Sequence, residues 1–184
     1  MTGQKKIFLL LLLFVLVLST LNLAKARGLL IPQQPPITVK ERVISLDSLT
    51  LDQKIAQMII VSGSLANKEA WQRMQLGGIH LFAKQREELF TQTIGEFQEG
   101  MAVPFFVTAD LEGCQNPFAE FYASPAASEI SRPGDAFQKG SDDGKQLARL
   151  GFSVNFAPVV DLQDDIWKCR SFPGDEKAVA ELAE

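Results

Sequence analysis

The stretch Gly151 to Asp161, GFSVNFAPVVD, constrains the fold more than any other part of this chain. An apolar strand leaves a helix-stopping glycine and ends in Pro-Val-Val-Asp, and Arg170-Ser171-Phe172 begins nine residues past that Asp. A second apolar run, Val103 to Ala109, ends the same way, in Asp110-Leu111-Glu112-Gly113. Charged groups placed just past the C-terminal ends of successive buried strands mark one face of an α/β barrel, the face on which such folds carry their chemistry.

The rest of the chain supports an alternating pattern. Thr50-Leu51-Asp52-Gln53 has the form of a capping box and predicts a short helix from Leu51 to about Met58. Strands are expected over 59–63, 78–82, 104–109 and 153–160. Helices are expected over 67–76, 86–99 and 134–150, with a last one opening at Asp175. Glycines follow three of them, at Gly77-Gly78, Gly100 and Gly151. A long loop, Gly113 to about Pro133, carries Phe118, Phe121 and Tyr122. The strands are continuous apolar runs, the pattern of burial on both faces. The fold class is therefore α/β, read as the first half, about four βα units, of a (β/α)8 barrel. An open doubly wound sheet is the rival. It is disfavoured because no Gly-rich phosphate loop joins a strand to a helix.

Ahead of this domain, Lys5-Lys6 precedes an unbroken apolar run, Ile7 to Leu18, and Ala24-Lys25-Ala26 supplies small residues for a cleavage site. Residues 1–26 read as a signal peptide. The alternative is an uncleaved membrane tether through residues 7–24. Either places the rest outside the cytoplasm: extracellular, periplasmic, or anchored to the outer face of the cytoplasmic membrane. Residues 27–45 read as a Pro-rich tether and the folded part as 46–184. Without residues 1–26 the chain keeps 15 basic against 22 acidic side chains, a formal net charge of −7. That acidic balance argues against a nucleic-acid partner. Cys114 and Cys169 each follow a candidate strand, so an exported chain could join them, or they could be two unrelated thiols. No cysteine or histidine cluster suits a metal, and no cofactor is implied.

Five segments together resemble the N-terminal barrel domain of glycoside hydrolase family 3, the β-N-acetylhexosaminidase and β-glucosidase group. They are Leu49 to Met58 (LTLDQKIAQM), Gly77 to Phe82 (GGIHLF), Thr108 to Gly113 (TADLEG), Asn155 to Asp161 (NFAPVVD) and Arg170-Ser171-Phe172. The resemblance covers about Leu49 to Glu184, making residues 46–184 part of such a barrel. It implies a carbohydrate substrate, with Asp110 holding sugar hydroxyls and Arg170 a donor fork beside them. The function it implies is hydrolysis of a terminal β-linked N-acetylhexosamine. A β-glucosidase of the same family, or a non-catalytic sugar-binding remnant, is the alternative. Glu112 is expected to act with Asp110 as a positioning pair, and Asp161 to support its loop. An exposed ion pair with Asp175 is the bland alternative for Arg170.

The sequence also departs from that family. Arginines are expected five and eight residues after the Asp, where Gln115 and Phe118 stand. The second glycine of the motif is Cys114. The pocket is thus expected to have lost two cations and gained an aromatic, with Phe118, Phe121 or Tyr122 as candidates for a sugar face and loop packing as the expected role of at least two of them. The family's nucleophile and proton donor are expected beyond Glu184, so no catalytic residue is assigned in this chain, which by itself is expected to be inactive. His80, the sole histidine, stands where the family carries an aliphatic residue and is expected to be a buried core side chain.

Overall fold

The computed structural model describes residues 3–41, 43–162 and 167–184. Residues 1–2, Arg42, and residues 163–166 ahead of Arg170 lie outside the described residues. The chain opens with a helix, α1 (Gly3–Ala26). Alternating elements follow: α2 (Leu51–Gln57), β1 (Ile60–Ser62), α3 (Lys68–Met74), β2 (Gly78–His80), α4 (Glu87–Gln98), β3 (Phe106–Ala109), α5 (Pro133–Leu150), β4 (Val154–Asn155) and α6 (Glu176–Ala183). The four strands form one parallel sheet in the order β1-β2-β3-β4. No strand order reverses, so among these strands there is no switch point of the doubly wound kind.

Local chemistry explains where the elements start and stop. The capping box forms at α2: the Thr50 hydroxyl accepts from the Gln53 amide, and Gln53 returns the contact to the Thr50 N–H. Gly151 ends α5 in the left-handed conformation. At α3 the stop differs from expectation, because Gln75 takes the left-handed turn. Gly77 serves a close approach instead: a side chain there would sit 2.0 Å from the Gln57 carbonyl oxygen. β4 is also shorter than the expected strand over 153–160. Pro158 has no N–H to give to a ladder, and beyond Asn155, among the described residues, only a bridge between Val159 and Ser171 continues the pairing.

The main core lies between the sheet and the helices. Ile79, Val107 and Ala109 pack against Phe90, Ile94 and Phe97 of α4 and Leu147 and Leu150 of α5. Each of these buried side chains other than Ala109 contributes roughly 1.5–3 kcal/mol relative to exposure. The sheet's other face is not covered by the described residues. Residues alternate across a strand, and Phe106 and, just past the strand ends, Phe82 and Phe156 stay more than half exposed. Burial on both faces, expected from the apolar runs, is thus found on one. The apolar residues of the second face are present, but no described element packs on them.

The loop after β3 is fixed by a buried polar cluster. Tyr122 donates to Asp143 at 2.9 Å, Ser124 donates to it at 3.0 Å, and Lys139 pairs with it. Burial, followed by the hydrogen bond to Asp143, pushes the Tyr122 phenol well above its ordinary value.

Before the domain, the segment after α1 lies against α3. Gly28 packs on Ala70, Arg73 donates to the Ile31 carbonyl at 3.4 Å, and Gln53 donates to the Pro35 carbonyl at 2.6 Å. Over Lys5–Lys25, α1 has mean hydropathy 2.8 and none of it is buried. It is long and apolar enough to cross a membrane, a test that a signal sequence also passes.

Candidate functional site

A cavity of about 430 Å³ opens at the C-terminal ends of β2 and β3. His80 and Phe82 border it from the β2 side, Asp110 and Glu112 from the β3 side, and Trp167 and Arg170 from the segment before α6. Register explains why these groups converge. His80 lies opposite Thr108 in the parallel ladder, so Asp110, two residues past Thr108, leaves the sheet toward the face that carries the imidazole. The Asn155 side chain pins the backbone there, accepting from the Leu111 N–H at 2.9 Å and donating to its carbonyl at 3.2 Å. Gly113 completes the turn at φ 109°, and a side chain on it would meet the Pro125 carbonyl oxygen at 2.0 Å.

Asp110 and Arg170 both line this cavity. Their surroundings differ from expectation in one respect: Glu112 partners Arg170. Arg170 Nε donates to Glu112 Oε2 at 2.6 Å and Nη2 to Oε1 at 2.8 Å, a bidentate fork. The Glu112 side chain is 5% exposed and that of Arg170 32%. Asp175, the alternative partner for Arg170, instead caps α6 by accepting from the Ala178 N–H. Asp110 is 49% exposed, and across the cavity it faces the His80 imidazole, with Nε2 3.7 Å from Oδ2. One carboxylate therefore holds the guanidinium in place while the other faces the open space.

Cys114 and Cys169 form a disulfide, with Cα atoms 6.0 Å apart. Cys114 lies two residues past Glu112, and Cys169 immediately precedes Arg170. The bridge thus ties together the two segments whose side chains make the ion pair.

Two expectations are corrected here: none of the three loop aromatics lines this cavity, and His80 does. Phe118 does not enter the pocket. It is fully buried, with its ring 5.0 Å from that of Phe90 and 5.3 Å from that of Phe152. Asn116 holds the turn that turns it inward, accepting from the Phe118 N–H at 2.8 Å. Phe121 packs against the same core, and the Tyr122 hydroxyl is committed to Asp143. The aromatic side chains on the cavity are Phe82 and Trp167. His80, in turn, is not a core side chain. It is 15% exposed on the cavity wall, its Nδ1 3.0 Å from the Thr108 hydroxyl. The signal for this was its position: at the last residue of a parallel strand, a side chain on the open face reaches the strand-end rim. Gln115, where the resemblance calls for an arginine, also lines the cavity. Asp161 is exposed. Among the described residues, no group of three His, Cys, Asp or Glu side chains could hold a metal ion.

A parallel sheet with helices packed on it and charged groups gathered at its strand ends is the construction of α/β domains that work at that face. The glycosyl hydrolase family 3 N-terminal domain matches residues 50–184, and the chain belongs to that family. Two solved structures share the fold. A glycoside hydrolase family 3 β-N-acetylglucosaminidase from Paenibacillus sp. str. FPU-7 superposes with TM-score 0.60 at 24% identity, over 73% of this chain and 30% of that one. NagZ from Neisseria gonorrhoeae, in complex with zinc ion, superposes with TM-score 0.55 at 22% identity, over 83% of this chain and 46% of that one. The chain thus spans less than half the length of either. No curated protein matches it.

Proposed function

We propose that these residues supply the sugar-binding part of a family 3 glycosidase acting on a terminal β-linked N-acetylhexosamine. In this reading β1 to β4 are the first four strands of a (β/α)8 barrel, and the uncovered sheet face is the barrel's interior. The observation that carries it is the pairing of an open carboxylate with a locked guanidinium. Asp110 and Arg170 line one cavity at the strand ends, and Glu112 fixes the arginine. A carboxylate can accept from two sugar hydroxyls at once, and a guanidinium held by a buried partner loses little freedom when it donates to a third group. Phe82 and Trp167 offer apolar ring faces beside them.

Retaining glycosidases need a nucleophile and an acid/base flanking the bond. Neither is assigned here, so both would have to come from residues outside these 184. The 184-residue chain itself would bind sugar without cleaving it. The apolar α1 supports export, with residues 1–26 as signal or anchor, 27–45 as the connection and 46–184 as the barrel portion. The domain would then work outside the cytoplasm. Gln115 on the cavity wall, in place of a cation, favours a second reading, a β-glucosidase of the same family.

The test is turnover, by a protein that joins these residues to the rest of a family 3 barrel, on the nitrophenyl β-N-acetylglucosaminide and the nitrophenyl β-glucoside. Faster cleavage of the first supports the hexosaminidase reading, and faster cleavage of the second the glucosidase. In either case Asp110→Ala is expected to lower kcat/KM by roughly 100-fold, as loss of charge-assisted hydrogen bonds to the sugar would. Unchanged kinetics would remove Asp110 from the site.

A further inference from the structure

His80 stands where the resemblance calls for an aliphatic residue, and it points at Asp110. We infer that His80 is a second sugar-binding group: with Asp110 it holds one hydroxyl of the sugar ring, His80 Nε2 donating and Asp110 accepting. The inference rests on the sugar-site reading and deepens it.

The chemistry runs from Thr108 outward. The Thr108 side chain is fully buried, and His80 Nδ1, at 3.0 Å, is the one hydrogen-bond partner of its hydroxyl among the described residues. A buried hydroxyl left without an acceptor is costly, so its hydrogen points at Nδ1. A neutral imidazole that accepts at Nδ1 carries its hydrogen on Nε2. That N–H faces the cavity, 3.7 Å from Asp110 Oδ2.

This separation is too long for a good direct hydrogen bond. It does suit one hydroxyl oxygen seated roughly 2.8 Å from both atoms, accepting from the imidazole and donating to the carboxylate. The ring itself is held on two sides. It meets Phe82 edge-on at 4.8 Å between centroids and lies parallel to Phe156 at 6.0 Å. The donor direction is therefore set before any ligand arrives. A polyol presents hydroxyls that accept and donate at once, which is what this donor–acceptor pair requires. An apolar ligand does not.

His80 is the chain's sole histidine, so the protein has a single imidazole signal. The experiment uses the full chain in detergent micelles that accommodate α1. Nitrogen-detected imidazole spectra are recorded while N-acetylglucosamine is added. The free protein is expected to show the tautomer protonated at Nε2, and the signal to move saturably with sugar. His80→Leu is expected to weaken binding roughly 5- to 10-fold, the worth of one hydrogen bond, and His80→Gln, which keeps a donor, to restore most of it. A merely structural histidine would give neither the tautomer-specific shift nor the rescue. If the amides of Glu112 and Gly113 move with sugar while the imidazole does not, or if His80→Leu binds like wild type, the role of His80 is overturned and the sugar site stands. If no signal moves in a chain with dispersed amides, the sugar-site reading fails and this inference fails with it.

Discussion

At the scale of single residues, two carboxylates read in the sequence as a positioning pair separate cleanly in the structure. Asp110 is open to the cavity, whereas Glu112, two positions on, is buried against Arg170. Removing one partner of such a pair leaves the other charge uncompensated, which is more damaging than the pair is helpful. Phe118 makes the complementary case. It occupies a position where the resemblance calls for a cation at the sugar, yet its ring sits among Phe90, Phe121 and Phe152. Phe118→Ala is therefore expected to cost about 3–5 kcal/mol of stability in denaturant titrations. Sugar affinity of the protein that remains folded should be unchanged. A selective loss of sugar binding with no loss of stability would put Phe118 back at the pocket. Asp110 and Arg170 could be singled out from sequence through the family resemblance, and both line one cavity, whereas the pairing of Cys114 with Cys169 stayed open in the sequence. His80, Phe82 and Trp167 were harder to see. Composition and spacing mark an aromatic or a histidine as apolar core unless the register of the neighbouring strand is known.

At the scale of elements, the alternation of strands and helices was legible because hydrophobic period and capping chemistry agree. Thr50 and Gln53 announce α2, Gly151 ends α5, and the apolar residues of α4 recur on one face. The length of β4 was not legible, because the apolar run continues past Asn155, where the ladder with β3 ends. Contacts between elements are local matters that a linear reading does not reach. The fork from Arg149 of α5 to Glu87 of α4, with both contacts at 2.6 Å, is one of them. The hydrogen bond to Arg149 holds the Glu87 carboxyl below its usual value of 4.5. A depressed folded-state value stabilises the protein above the unfolded-state value, and that stabilisation is lost as pH falls through the folded one. Stability of wild type relative to Glu87→Gln should therefore be flat above about pH 5 and decline below it. An advantage that persists undiminished at low pH would contradict the pairing. The disulfide has a larger effect. It spans 55 residues, and cross-linking a loop of that size removes about 4 kcal/mol of chain entropy from the unfolded state. Reduction, or Cys114→Ser with Cys169→Ser, is expected to lower stability by up to that amount in denaturant titrations. It should also free the Arg170 segment, seen as faster amide exchange around Arg170. Equal stability and exchange in both redox states would mean the bridge does no work at the site.

At the scale of the whole molecule, one organisation connects the sheet, the cavity and the apolar helix. Helices pack on one face of the sheet, and the other face presents Phe106 and Phe156 with no described element covering them. The same face leads at its rim to His80 and Asp110. The segment after α1 contacts Gln53, Ala70 and Arg73, on α2 and α3. Gln57 and Gln75, which border that region, come just before β1 and β2, whereas the cavity lies past the other ends of the strands. The connection from the apolar helix therefore approaches the domain from the side opposite the site, leaving the cavity mouth clear. The most direct measurement is calorimetric titration of N-acetylglucosamine into the detergent-solubilised chain and into its Asp110→Ala variant. A sugar site at the strand ends predicts saturable binding by the wild type and none by the variant. Equal binding by both, or no binding by a folded wild type, would contradict it.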